Sequence, residues 1–199
     1  MVKAGMFIVL DGIDGSGKST QAMLLKKFLE DQGRKVFVSH EPSNRTRTGK
    51  MIKRLVKSKE GESFTKERWV FLFSKGMKEN NILIKKELNK GCIVISDRYY
   101  YSTLAYQLER KEWKKYSDKF LKPDLTIILD IPLDVSMKRI EKKNGEQKLK
   151  RAVFENKEFL KDVKRKFMTM KNFKELKIVN GNMGRRKVFE KLKKEVEKR

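Results

Sequence analysis

The segment Gly12-Ile13-Asp14-Gly15-Ser16-Gly17-Lys18-Ser19-Thr20 constrains this chain more than any other. The apolar run Met6-Phe7-Ile8-Val9-Leu10 and Asp11 lead into it, and an amphipathic stretch follows it. Gly-x-x-x-x-Gly-Lys-Ser between a strand and a helix is the Walker A pattern, a loop that cradles phosphate. Glycines let the backbone close around phosphate oxygens with no Cβ in the way. The loop N–H groups and the start of the next helix turn positive dipole toward the anion. In such a loop Lys18 bridges the β- and γ-phosphates of ATP, and the Ser19 hydroxyl ligates Mg2+. Residues 12–20 are therefore the expected ATP contact surface, but they say nothing about what receives a phosphoryl group.

A loop of this kind needs a parallel sheet around it, and the rest of the chain supplies one. Further β-rich runs occur at Val36 to Ser39, Cys92 to Ser96 and Leu125 to Asp130, with a weaker one at Lys177 to Val179. Between them lie helical spacings: Gln21, Leu24, Leu25 and Phe28; Leu72, Ile82, Ile84 and Leu88; and Val188, Leu192 and Val196. Strands alternating with helices imply crossover connections and a sheet covered on both faces. The expectation is an α/β fold with a five-stranded parallel sheet flanked by helices, in one domain over residues 1–199. The segment from Glu141 to Arg151 has almost nothing to bury and reads as a mobile, charged loop.

Charge leaves the partner open. The chain carries 50 Lys+Arg against 26 Asp+Glu, a formal net charge of +24. That excess suits a polynucleotide, but it equally steers small phosphate anions toward a cleft. Cys92 is the sole cysteine, so an internal disulfide framework is excluded and a reducing cytoplasm is expected. Its apolar neighbours mark it as a buried strand residue. The N-terminus has no signal-peptide pattern, and no apolar run approaches the roughly 20 residues of a membrane span.

The acceptor is indicated further on. Asp97-Arg98-Tyr99-Tyr100-Tyr101-Ser102-Thr103-Leu104-Ala105-Tyr106-Gln107 follows the third strand. Open α/β sheets bind ligands at that carboxyl end. Asp97 is placed there to hold Mg2+ or its water, and Arg98 to grip phosphate with a bidentate fork. The block resembles the Asp-Arg-Tyr-x-x-Ser-x-x-Ala-Tyr-Gln signature of thymidylate kinases. Glu41-Pro42, Leu72-Phe73, Lys122-Pro123-Asp124-Leu125, Phe154-Glu155 and Val179-Asn180-Gly181 fall in that family's order.

The resemblance covers nearly the whole chain and implies a P-loop, nucleoside monophosphate kinase-like fold with a mobile lid near residues 141–153. It implies transfer of a phosphoryl group from ATP to dTMP with Mg2+ bound by Ser19 and Asp97, in a homodimer formed through helices such as that around Phe73. By resemblance, Arg98 grips the acceptor phosphate and the transferring group, Asp14 lies near the sugar 3′-hydroxyl, and Phe73 stacks on the base. Tyr106 crowds the 2′ position, Gln107 meets the pyrimidine edge, and Glu41 and Pro42 border the acceptor. Some members carry an arginine inside the phosphate loop; Gly15 stands there in this chain. The other family type supplies that cation from the lid, where Arg151 is the preferred candidate and Lys142, Lys143, Lys148 and Lys150 are alternatives.

Three departures stand out. His40 replaces an arginine often found before Glu-Pro. Ser43-Asn44-Arg45-Thr46-Arg47 does not align cleanly, so Arg45 competes with Arg47 as the acceptor-phosphate ligand. Met77 stands where the family commonly has an arginine that reaches the base. That last departure keeps a kinase of another nucleoside monophosphate as an alternative. An ATP-dependent nucleic-acid-binding protein is the remote one, since no nucleic-acid-binding signature accompanies the charge.

Overall fold

The computed structural model describes residues 5–146, 154 and 156–199. The strands are β1 (Met6–Asp11), β2 (Val36–His40), β3 (Ile93–Asp97), β4 (Leu125–Asp130) and β5 (Leu176–Asn180). They form one sheet in the order β2-β3-β1-β4-β5, and every pairing is parallel. The expected five-stranded α/β architecture is present, with strand limits within one residue of the apolar runs.

The helices are α1 (Lys18–Asp31), α2 (Arg47–Leu55), α3 (Lys59–Glu62), α4 (Lys66–Asn89), α5 (Tyr100–Gln107), α6 (Trp113–Ser117), α7 (Leu133–Glu146), α8 (Lys157–Thr169) and α9 (Arg185–Glu197). Strand side chains alternate between the two faces. Phe7, Val9 and Val94 belong to one apolar cluster, whereas Ile8, Leu10, Ile93 and Ile95 belong to another. Both faces are thus covered, which is why the central strands read as unbroken apolar runs rather than alternating ones. Cys92 is buried immediately before β3. Among the described residues no helix is long and apolar enough to cross a membrane.

Helix faces depart from the sequence reading in three places. In α1 the fully buried stripe is Gln21, Ala22, Leu25 and Leu29, while Leu24 and Phe28 lie half-buried at its margins. In α4, Ile84 is buried but Ile82 is 69% exposed. Residues two apart on a helix point about 200° from each other, so one core cannot take both. Residues 141–146, expected to open a loop, instead continue α7. Glutamate and lysine are good helix formers, so Glu141 and Lys142 extend the helix beyond buried Ile140. The remainder of the proposed lid, including Arg151, Lys148 and Lys150, lies outside the described residues, as does Glu155.

Register sets the chemistry. Leu10 pairs with Asp97 of β3 and with Ile127 of β4, so β1 and β3 end together. His40 of β2 lies beside Asp97 in the same way. The phosphate loop, Asp97-Arg98 and His40-Glu41 therefore all leave the sheet at one carboxyl edge.

Candidate active site

The chain leaves β1 at Asp11 and turns through Gly12 (φ 134°), Gly15 (φ 73°) and Gly17 (φ 96°). A Cβ on Gly12 would come within 2.6 Å of the Leu129 carbonyl oxygen, so the turn requires glycine there. Lys18 opens α1, and its ammonium donates to the carbonyls of Ile13 (2.8 Å) and Gly12 (3.1 Å). Burial and the nearby Arg98 push this ammonium down to about 8, against the pull of Asp14, Asp97 and Asp11. The Ser19 hydroxyl donates to the Asp97 carboxylate, which joins α1 to the end of β3. Thr20 follows on the exposed side of α1.

Two residues outside the motif hold this loop. The Ser136 hydroxyl of α7 donates to the Asp14 carbonyl at 2.7 Å, and Arg139 Nη1 donates to the Gly15 carbonyl at 3.0 Å. A Cβ on Gly15 would lie 2.8 Å from the Ser136 carbonyl oxygen. Close packing of α7 is therefore the physical reason that no side chain occupies this loop position. Sequence reasoning missed both residues. Their i, i+3 spacing after β4 is a signal only once β4 is known to lie beside β1.

Next to the loop lies a cavity lined by Asp14, Glu41, Pro42, Phe73, Arg98, Tyr106 and Gln107, all candidates from the sequence. Met77, Val56, Ser102, Thr103, Tyr99 and Phe154 complete its wall. Phe73 stacks on Trp69 with ring centres 5.6 Å apart, and the Phe154 ring meets Trp69 edge-on at 5.2 Å. Gln107 is buried, and its Nε2 has no hydrogen-bond partner. Met77 is 2% exposed.

Arg98 stands where loop and cavity meet. Its Nη2 donates to Asp14 Oδ1 at 2.6 Å and its Nη1 to the Ser102 hydroxyl at 2.8 Å. The Tyr106 hydroxyl donates to Asp14 Oδ2 at 3.3 Å. Burial alone would lift the Asp14 carboxyl, but Arg98 and Lys18 outweigh it and hold it below the usual carboxylate range. Burial dominates at Glu41, whose carboxyl is pushed up to about 8 although Asn80 donates to it at 2.6 Å.

The two arginines that competed for the acceptor phosphate do not reach the cavity wall. Arg45 Nη1 donates to the Val38 carbonyl at 2.9 Å, and its guanidinium lies 4.6 Å from the centre of the Phe37 ring. Arg47 is exposed on the first turn of α2. Lys53, three residues before cavity-lining Val56, is half-buried and likewise not part of the wall. Its ammonium lies 3.4 Å from Nε2 of His40, whose Nδ1 is 2.7 Å from the Pro42 carbonyl. Asp97 and Glu41 act on Lys53 electrostatically, against the burial that lowers its pKa.

Among the described residues no cluster of three or more His, Cys, Asp or Glu side chains is placed to hold a metal. Ser19 and Asp97 instead offer one hydroxyl and one carboxylate beside the phosphate loop. That sparse oxygen set fits Mg2+, which keeps several waters and binds through one or two carboxylates plus substrate phosphates.

A family model described as thymidylate kinase matches residues 10–192. A protein of Thermococcus onnurineus described as a probable thymidylate kinase is 41% identical over 187 residues, which cover 88% of this chain and 89% of the relative. Proteins with the same description from Methanocaldococcus jannaschii and Methanobrevibacter smithii are 36% and 33% identical. Those matches cover 83% and 96% of this chain, and 81% and 94% of the respective relatives.

Proposed function

The chain belongs to the thymidylate kinase family, and from that premise we propose how its residues move the γ-phosphoryl group of ATP to the 5′-phosphate of dTMP. The observation that carries the reading is Arg98, which touches both the phosphate loop through Asp14 and the wall of the aromatic cavity. ATP lies along Gly12 to Thr20, and dTMP fills the cavity. An oxygen of the acceptor phosphate attacks the γ-phosphorus in line, the bond from that phosphorus to the β,γ-bridging oxygen breaks, and ADP leaves. The acceptor phosphate is already ionised, so the protein contributes positioning and cations rather than a strong base.

Lys18 leaves its two loop carbonyls for the β- and γ-phosphates, and Arg98 meets the acceptor phosphate and the transferring group. We assign the second acceptor cation to Lys53 in place of Arg45, because its half-buried ammonium lies beside His40 and feels Asp97 and Glu41, whereas Arg45 is exposed and engaged with the Val38 carbonyl. Arg151 remains the assigned lid cation. Ser19 and Asp97 would hold Mg2+, which when bound offsets negative charge on the donor phosphates. Phe73 supplies the stacking surface for the base, and the unpartnered Gln107 amide is suited to a pyrimidine carbonyl. Tyr106, fastened to Asp14, occupies the space a 2′-hydroxyl would need, so Tyr106→Ala is expected to narrow the preference for dTMP over its ribose counterpart.

The test is ADP release measured across dTMP, dUMP, dCMP and purine monophosphates, with and without DNA. The fastest turnover is expected with dTMP and no response to DNA. ADP release that ignores the monophosphate but responds to DNA would overturn the assignment.

We also assign the outer face of α4 to a second copy of the chain. Phe71 and Ile82 are 65% and 69% exposed there, an apolar pair that pairing of two copies would cover. Sedimentation should show a dimer for the parent and a monomer for Phe71→Glu. A monomeric parent would rule the assignment out.

A further inference from the structure

Asp11 ends β1, is 0% exposed and belongs to neither the phosphate-binding motif nor the cavity wall. Its carboxylate is nevertheless among the most heavily engaged in the molecule. Oδ1 accepts from the Gly12 amide at 2.9 Å and from the Ser102 hydroxyl at 2.6 Å. Oδ2 accepts from the Tyr99 amide at 3.2 Å and the Ser102 amide at 3.0 Å. Oδ1 also lies 3.8 Å from the Arg98 guanidinium.

Two features make this more than a satisfied buried charge. Helix α5 starts after Tyr99, which supplies no side-chain cap of its own. The first N–H groups of a helix lack partners within it, and a carboxylate beside them also meets the positive end of the helix dipole. Asp11 fills that role from a different strand. The second feature is Arg98, which has φ 72°, the left-handed region that costs a non-glycine residue roughly 1 kcal/mol or more. Its amide donates to the Leu10 carbonyl, and the next amide, that of Tyr99, donates to Asp11. The end of β1 therefore clamps the backbone on both sides of this bend. The bend sends the guanidinium back toward Asp14 while the chain continues into α5, which carries Tyr106 and Gln107.

We propose that Asp11 is a positioning residue that aligns the acceptor side of the site to the donor loop, by tying Gly12, the backbone after Arg98 and the start of α5 to one carboxylate. This rests on the reading of the cavity as the dTMP site. Asp11 touches neither nucleotide. It fixes the distance between the group that holds the donor and the arginine and helix that hold the acceptor, and misplacement by about 1 Å in such an arrangement costs about 100-fold in rate.

The experiment uses the full chain with Asp11→Asn, which keeps the size but turns one accepting oxygen into a donor that faces other donors. The folded variant should show kcat lowered about 100-fold and KM for dTMP raised about tenfold, with KM for ATP within about threefold of the parent. Calorimetric dTMP affinity without ATP should fall by the same factor as KM rises. A residue that merely stabilises the fold would lower the melting temperature and leave these ratios alone. Should the asparagine variant not fold, Asp11→Glu moves the carboxylate by about one bond length, 1.5 Å, and must show the same split. dTMP parameters within about threefold of the parent in the variant that folds, or a larger loss for ATP than for dTMP, would overturn the proposal. If the parent itself does not phosphorylate dTMP, the reading of the cavity fails instead, and the two failures are distinct.

Discussion

The Arg98 guanidinium lies 2.6 Å from the Asp14 carboxylate, so an arginine between β3 and α5 is held by a residue of the phosphate loop. An ion pair at this junction keeps the arginine extended and oriented, ready to share its fork with phosphate oxygens. Arg98→Ala should therefore raise KM for dTMP and lower kcat together, each by about 10²-fold, because one group serves both binding and transfer. Arg98→Lys should recover little, since a point charge cannot reproduce the fork. Steady-state kinetics with each substrate varied would check this, and a change confined to ATP affinity would remove Arg98 from the acceptor side.

Lys18 donates to the Ile13 and Gly12 carbonyls and is buried, so it is preorganised rather than loose. In the proposed reaction its charge acts on phosphate oxygens whose charge shifts during transfer. Lys18→Ala should cost about 10³-fold in kcat with an unchanged circular dichroism spectrum. Turnover within about tenfold of the parent would be incompatible with its role.

The proposed acceptor-phosphate role distinguishes Lys53 from Arg45. Lys53 faces His40 with Asp97 and Glu41 nearby, whereas Arg45 is spent on the Val38 carbonyl and the Phe37 ring. Lys53→Met should raise KM for dTMP by about 10- to 100-fold, the worth of one charge-assisted hydrogen bond. Arg45→Ala should change it by less than about threefold, as for other exposed cations. The reverse order of effects would return the role to Arg45.

The proposed exchange of roles bears on what a sequence holds and what it does not. The phosphate loop was legible because its parts are contiguous and glycine spacing records backbone geometry directly. The strands were legible because burial on both faces removes every polar residue from Ile8 to Leu10 and from Ile93 to Ile95. Arg98, Tyr106 and Gln107 belong to one contiguous block that resembles the family signature, and they line one cavity because that block runs from the end of β3 through α5. Arg45 and Lys53 differ only in which way α2 and the loop before it turn, and no local pattern encodes that. Ser136, Arg139 and Asp11 act across 122, 124 and 91 residues, so these partners become neighbours only when the sheet is assembled.

The Glu41 carboxyl adds a pH signature. Its folded pKa is raised from 4.5 to about 8 by burial, with Asn80 and Lys53 opposing and Glu79 reinforcing. A raised folded value means that the folded chain binds the proton more tightly. This contribution is therefore complete below about pH 4.5 and is lost as pH rises through about 8. Glu41→Gln keeps a neutral group and should escape that loss. One pKa unit is about 1.4 kcal/mol, and Glu41 faces an open cavity that softens the effect, so the variant should gain on the order of 1–3 kcal/mol on the parent between pH 5 and pH 9. Denaturant melts without nucleotide or divalent metal would measure it. A difference between variant and parent that stays flat across this range would show that Glu41 is an ordinary carboxylate.

On the proposed reading, base selection rests on Met77. It is 2% exposed, lies one turn beyond Phe73 on α4 and faces the same cavity. An arginine at this place could donate to a pyrimidine carbonyl, whereas a thioether offers apolar contact and weak polarity. A charged hydrogen bond is worth roughly 1.5–3 kcal/mol, about one to two decades of discrimination. Phe73 and the unpartnered Gln107 amide still favour a pyrimidine, so dTMP should lead with dUMP a slower substrate. Met77→Arg should raise the preference for dTMP over a purine monophosphate by about tenfold or more, read as a ratio of kcat/KM values. The melting temperature must be followed in parallel, because a guanidinium placed among buried side chains destabilises the fold unless it reaches the cavity. A parent that already rejects every monophosphate but dTMP by many decades would mean that another group holds the carbonyl. Gln107 is then the residue to substitute, since its amide is the buried donor on that wall without a partner.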